Sequence, residues 1–257
     1  MNKFRHISAA LIFFGAIGII AALSISIEDG IQKRASEITI EGNEHLDADE
    51  YLSFAGLIDR DKLENIELSV VKKRLEKHPY VKKADVKFVS DGKVYVVLQE
   101  KKFLSLMNCG GKEYLLSSEG EVIPVLQRLK YINYPFVENP DVENSNRFIN
   151  AKENKDISTA YKLLETAELL DNKFYKDISE INLRGGKDIL IYFSSLDFPV
   201  IIGRNNEVRK LIYFNKIWEK IRDKELNKII DYADLRFDDR MYLKIGEGSL
   251  EQKEQRI

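Results

Sequence analysis

A chain of 257 residues with 44% hydrophobic and 32% charged side chains suits two modest domains and is too apolar for a disordered or fibrous protein. Forty Lys and Arg nearly cancel forty-two Asp and Glu, leaving a formal charge of -2 and no field suited to a phosphate backbone, so nucleic acid is not an expected partner. The one cysteine, Cys109, makes no internal disulfide and builds no cysteine-based metal site by itself.

No charge interrupts Ile7 to Ile27, which carries Leu11, Ile12, Phe13, Phe14, Ile17, Ile19, Ile20 and Leu23. About 20 such residues cross a bilayer as a helix, and at insertion scales these side chains favour the membrane by roughly 3 to 7 kcal/mol. Lys3 and Arg5 before the run, with Glu28 and Asp29 after it, predict a short cytoplasmic tail and an extracytoplasmic bulk. A cleaved signal peptide is the rival, since Ala22-Leu23-Ser24 faintly resembles a cleavage site, but the apolar run is longer than the usual 7 to 15 residues.

Ile38 to Asn43 alternates as a strand and stops at Gly42-Asn43. Asp47 is a candidate N-cap for a short helix carrying Tyr51, Leu52 and Ala55 and closed at Gly56. A second helix fits Leu68 to Lys77, with Leu68, Val71 and Leu75 on one face and Pro79 beyond it. Val81 to Val89 and Lys93 to Glu100 then read as strands joined through Ser90-Asp91-Gly92. The order strand, helix, helix, strand, strand, with Gly42 after the first strand and His78-Pro79-Tyr80-Val81 entering the second, resembles the polypeptide-transport-associated (POTRA) fold over about Glu37 to Lys102. Domains of that kind bind proteins and carry no catalytic site.

Tyr114 to Pro124 predicts two strands about a Glu119-Gly120 turn, and Tyr134-Pro135-Phe136 with Asn139-Pro140 predicts an irregular stretch. An amphipathic helix covers Ile157 to Leu170. Ile178 to Leu183 and Asp188 to Phe193 flank Gly185-Gly186 as a hairpin, and Phe198 to Ile202 continues strand character to Gly203. Glu207 to Arg222 predicts a helix with Val208, Leu211, Ile212, Trp218 and Ile221 on its apolar face, Trp218 being a core anchor. A strand through Tyr232-Ala233-Asp234-Leu235-Arg236-Phe237-Asp238 and another over Met241 to Lys244 close the chain.

This ending, its helix and the Gly203-Arg204 entry resemble the closing segment of the second domain of the bacterial FtsQ/DivIB cell-division family, and anchor, POTRA order and ending occur in that family's order. The resemblance implies an α+β protein: residues 1–6 a cytoplasmic tail, 7–27 a single transmembrane helix, 28–36 a linker, 37–102 a POTRA domain, 103–246 a mixed β-rich domain with helices, and 247–257 a disordered tail. It further implies a non-enzymatic divisome scaffold at the septum of the cytoplasmic membrane, linking early and late division proteins. Its expected partners are FtsB- and FtsL-like (DivIC-like) single-pass proteins and, indirectly, septal peptidoglycan synthases.

A chemical site finds no support in the residue pattern. Of three histidines, His6 is predicted across the membrane from His45 and His78, and the acids near His45, Asp47 and Asp49, read better as helix caps than as metal ligands. Gly110-Gly111, Gly185-Gly186 and Gly246-x-Gly248 lack the Lys-Ser/Thr of a phosphate loop, so no cofactor and no small-molecule substrate are expected. Partner binding is expected by strand addition along Met241 to Lys244, with Phe237, Asp239, Arg240, Met241 and Tyr242 as contacts. Arg184 or Lys187 matches a basic hairpin residue that the resemblance implies. The alternatives are an anchored POTRA chaperone or secretion module, which a following membrane barrel would favour, and an anchored wall hydrolase, for which no acid-base or metal constellation stands.

Overall fold

The computed structural model of the chain describes residues 37–59, 67–90, 92–130, 133–142, 150–222, 225–237 and 240–246. The expected membrane span Ile7 to Ile27, the linker, the turn residue Asp91 and the tail 247–257 lie outside them, and no helix among the described residues is long and apolar enough to cross a membrane. The chain divides into two units, the first through Gln99 and the second from Glu100, with Glu44–Leu46 grouping with the second.

The first unit carries β1 (Glu37–Glu41), α1 (Ala48–Phe54), α2 (Leu68–Leu75), β2 (Val81–Ser90) and β3 (Lys93–Glu100). Its sheet runs β1-β3-β2 with β1 parallel to β3, so the first strand lies beside the last. Gly42 makes that closure possible: its φ is +81°, and a Cβ there would stand 2.2 Å from the Leu98 carbonyl oxygen. Asp47 does occupy the N-cap position of α1, but its carboxylate makes no capping bond to the first-turn amides. Gly56 closes α1 as the spacing predicts, with the Gly56 and Leu57 amides donating back to the Ser53 and Leu52 carbonyls. Buried His78 accepts the Tyr80 amide at 3.1 Å and sets its ring edgewise to Tyr51, Phe54 and Tyr80, an organising role rather than a site.

The second unit is built on a nine-stranded mixed sheet: β4 (Phe103–Cys109), β5 (Lys112–Ser117), β6 (Val122–Pro124), β7 (Phe136–Glu138), β8 (Ile178–Asn182), β9 (Ile189–Phe193), β10 (Val200–Gly203), β11 (Ile230–Asp234) and β12 (Tyr242–Ile245). Their order is β12-β11-β10-β9-β8-β7-β4-β5-β6. The predicted irregular stretch at Phe136 is therefore a strand, held between parallel partners, Val137 opposite Met107 on β4 and Ile181 on β8. The first sheet partner after the POTRA-like unit, β4, is a strand the sequence reading passed over.

Helices α3 (Lys155–Leu170), α4 (Asn172–Asp177) and α5 (Glu207–Ile221) supply the other layer. Asn154 starts α3 by accepting the Asp156 and Ile157 amides, and Asp171 starts α4 by accepting the Lys173 amide. The face α5 buries is Lys210, Leu211, Phe214, Trp218 and Ile221, with Val208 and Ile212 only half-covered. Trp218 is fully buried against Phe174, and Phe193 and Phe214 complete the aromatic cluster. Its indole N–H donates to the Asp177 carboxylate at 2.7 Å, which also accepts the Ser195 hydroxyl, so α5 is tied to the end of α4.

Removing this ring leaves a cavity and takes from the Asp177 carboxylate one of its two donors, the Ser195 hydroxyl remaining. Trp218→Ala should lower unfolding stability by about 3–5 kcal/mol, and Trp218→Phe, which keeps an aromatic ring but no donor, by less. Chemical denaturation followed by circular dichroism measures both, and a wild-type midpoint for Trp218→Ala contradicts the packing.

Candidate partner-binding site

β10 and β11 are parallel, β9 and β12 run opposite to them, and β8 runs with β10. One end of the sheet therefore collects the β8–β9 hairpin, the β10–α5 connection and the β11–β12 connection. All the partner-binding residues expected from sequence lie on the second unit, and those described fall at this end or along β12.

The β11–β12 connection is set by a knot of charge. Asp234, buried at the end of β11, accepts the Arg236 amide at 2.9 Å and the Arg236 guanidinium at 2.7 to 3.1 Å, and Arg236 reaches on to Asp188 at 3.0 Å. These bonds from Arg236, with further attraction from Lys210, hold the Asp234 carboxyl below the usual carboxylate range despite its burial. Lys210 enters the core from α5 and donates to the carbonyls of Ile202 and Arg236 at 3.2 and 3.4 Å, fixing the ends of β10 and β11 to one ammonium. Gly203 makes room, because a Cβ at its φ of +70° would stand 2.7 Å from Arg236 Cγ.

The chain then leaves the sheet, so the expected strand through Asp238 ends at Asp234 and Phe237 lies beyond it, 55% exposed. Phe237 turns its ring edgewise to Tyr242 at 5.2 Å. Arg240 is exposed and joins Phe237, Tyr213, Arg209 and Lys210 around a small depression. Met241 precedes β12 and packs on the core, and Asp239 lies outside the described residues. Tyr242, Leu243, Lys244 and Ile245 are all exposed, three of them apolar, on a strand with no neighbour on its outer side among the described residues.

The register identifies which backbone groups face outward. Ala233 and Leu235 donate their amides to Pro199 and Ile201, so these two residues turn toward β10, and Tyr232 and Asp234 turn toward β12. Their partners Lys244 and Tyr242 face back into the sheet, and Leu243, opposite Ala233, points its N–H and C=O to the open edge.

The hairpin residues sit elsewhere at the same end. Arg184 (φ +50°), Gly185 and Gly186 form three successive left-handed residues, a longer loop than the two-glycine turn expected. Arg204 holds it: its guanidinium donates to the Leu183 and Lys187 carbonyls at 2.9 and 2.7 Å and pairs with buried Asp156 on α3 at 2.7 Å. Arg184 and Lys187 are left exposed. Three strand spacings of about 4.8 Å each separate β9 from β12, so the hairpin and the edge are two regions of one surface rather than one cluster. Sequence reading missed Lys210 and Asp156, whose burial as charged residues becomes visible only with their partners in place.

His45 is held by an acid distant from it in sequence. Its Nδ1 pairs with the Glu100 carboxylate, which also accepts the His45 amide at 3.0 Å, and its ring lies edgewise on Phe103. Among the described residues no group of three or more His, Cys, Asp or Glu is placed to hold a metal ion.

Residues 106–236 match the family model for the C-terminal region of cell division protein FtsQ/DivIB, and residues 33–101 match that for the FtsQ-type POTRA domain. The chain belongs to the FtsQ/DivIB family. It is 22% identical to cell division protein FtsQ of Syntrophotalea carbinolica over 223 residues, covering 86% of this chain and 77% of the relative. With FtsQ of Geotalea daltonii it shares 22% identity over 199 residues, 76% and 70% of the two chains, and with FtsQ of Bradyrhizobium diazoefficiens 24% over 104 residues, 40% and 30%. The FtsQ/DivIB match closes at Arg236, so the case for Phe237 and β12 as a binding edge rests on their geometry.

The knot has a pH signature. A carboxyl whose folded pKa is depressed adds stability that is complete above its unfolded pKa of about 3.9 and lost as pH falls through the folded value. Asp234→Asn should cost about 2 kcal/mol at neutral pH, as expected for hydrogen bonds to a charged group. The gap between wild type and variant should narrow below about pH 4. Urea denaturation from pH 7 to pH 3 measures it, and a gap that stays constant with pH contradicts the assignment.

Proposed function

We propose that this FtsQ/DivIB family member is a non-enzymatic scaffold of the division septum that binds the extracytoplasmic part of an FtsB- or FtsL-like protein by strand addition along β12. The observation that carries this reading is the open edge of β12, where the Leu243 backbone faces outward between exposed apolar side chains and beside the Phe237–Tyr242 pair. A partner strand completes the ladder there, and its alternate side chains meet Phe237, Tyr242 and Arg240, which supply selectivity. Bare apolar edges of this kind invite unspecific pairing, so an edge so lightly protected fits a surface kept for a particular chain. Septal peptidoglycan synthases act downstream of that assembly, and the apolar run Ile7 to Ile27 tethers the scaffold to the bilayer with its domains outside the cytoplasm.

The geometry selects the decisive substitution. Leu243→Pro removes the outward donor while leaving the β11–β12 bonds of Tyr242 and Lys244 intact, as proline is tolerated on a strand edge. Titrated with the extracytoplasmic region of the FtsB-like protein from the same genome, the full chain in nanodiscs should lose at least about tenfold in affinity on Leu243→Pro and about thirtyfold on Phe237→Ala. Undiminished affinity in a folded Leu243→Pro protein removes β12 as the docking strand and shifts attention to Arg184 and Lys187.

Topology is checked separately. Alkaline phosphatase fused after Lys33 should be active, the same fusion of a cytoplasm-dependent reporter inactive, and the mature protein should retain Met1. A mature N-terminus near Ser24 replaces the anchor with a cleaved signal.

A further inference from the structure

The cations at this end of the second unit are not all absorbed by the edge. Lys152, Lys155 and Lys162 form one wall of an open groove whose other wall is Asn205 and Asn206, at the entry to α5. All three lysines are exposed, and none of their ammonium groups has an ion-pair partner among the described residues. Of the other charges of the lining, Arg204 is paired with Asp156, and Glu207, whose carboxylate accepts the Asn205 amide, remains an anion at the entry to α5. Three ammonium groups against the one Glu207 carboxylate leave the groove net positive on a molecule whose formal net charge is -2.

Lys155 and Lys162 stand seven residues apart on α3, about 10.5 Å along the helix, a distance spanned by about three residues of an extended peptide. Its lining residues are Lys, Ser, Thr, Arg, Asn and Glu, with neither an aromatic ring to stack on a sugar nor an aliphatic residue to seat an acyl chain. Asn206 belongs both to this groove and to the depression containing Phe237 and Arg240, so the two surfaces are continuous.

We propose that this lysine groove binds an acidic stretch of the same polypeptide that pairs with β12, an assignment whose occupant rests on the strand-addition reading given above. The partner pairs its backbone along β12 and passes its acidic flank across Asn206 to Lys155, Lys162 and Lys152. The edge then supplies register, and the groove supplies charge complementarity and a faster, salt-dependent encounter.

The test uses the full chain in nanodiscs of zwitterionic lipid, with fluorescein-labelled octaglutamate as the probe of the groove. Octaglutamate should bind, more weakly as salt rises, and lose at least about tenfold in affinity on Lys155→Glu with Lys162→Glu, while Leu243→Pro leaves it unchanged. In titrations with the FtsB-like extracytoplasmic region, the double lysine variant should lower affinity and flatten its salt dependence. Leu243→Pro should lower affinity with the salt slope preserved. No octaglutamate binding, or binding indifferent to the lysines, overturns the proposal whatever happens at the edge. Inorganic polyphosphate that competes through the same lysines and binds more tightly than octaglutamate overturns the peptide occupant in favour of a phosphate-rich polymer. If octaglutamate binds through the lysines and the FtsB-like region does not bind at all, the strand-addition reading fails and the occupant assigned to the groove falls with it.

Discussion

The Asp234 carboxylate is the constraint on which the working end of the second unit depends. It sits at the point where β11 leaves the sheet, and it gathers the amide and guanidinium of Arg236 while drawing on the nearby Lys210 ammonium. Two carbonyls, those of Ile202 and Arg236, accept from the same lysine. A buried charge is tolerable only when so paired, and here the pairing converts an electrostatic obligation into a fixed exit angle for the chain. Phe237 reaches the surface, and β12 returns antiparallel, because that exit is not free to vary.

A second ion pair governs the other half of the same surface. Arg204 and Asp156 join α3 to the β8–β9 hairpin, and two hairpin carbonyls take further guanidinium donors. Arg236 links the two systems through Asp188. The hairpin, the β10–α5 entry and the edge strand are therefore positioned by bonds within the unit. A surface arranged in this way is suited to receive a chain with little reorganisation of its own backbone.

Much of the fold was legible because helices and hairpins write themselves locally. The period of Ile157, Ala160, Leu164 and Ala167 marks α3, and alternation with Gly42 and Gly92 at the turns marks the POTRA-like sheet. The three-residue strand β7 was not legible, since it follows Pro135 and is defined by parallel partners distant in the chain on both sides. On α5 the sequence suggests Val208 and Ile212 as core, but the axis is rotated toward Lys210 and Phe214, because a lysine stem packs like an aliphatic chain when its ammonium finds carbonyls. The strand expected over Met241 to Lys244 lies one residue later, at Tyr242–Ile245, and the ring contact of Phe237 with Tyr242 across the turn is not written in the sequence. Which backbone groups face outward required the register of β11 against both neighbours.

The position of β7 bears on how the second unit is assembled. Strands β4, β5 and β6 pair as antiparallel neighbours close in sequence, as do β8 with β9 and β11 with β12. Val137 and its two neighbours in β7 are the seam between the β4–β6 group and the β8–β12 group, and with α3 and α4 lying between β7 and β8 in the chain, the seam closes over a long loop. Local hairpins form early and cheaply, whereas parallel joining waits for that loop entropy to be overcome. A chain whose hairpins form first would therefore hold partly built sheets with bare edges at β4 and β8 until three residues bring them together, and the parallel β10–β11 join across α5 must close in the same way.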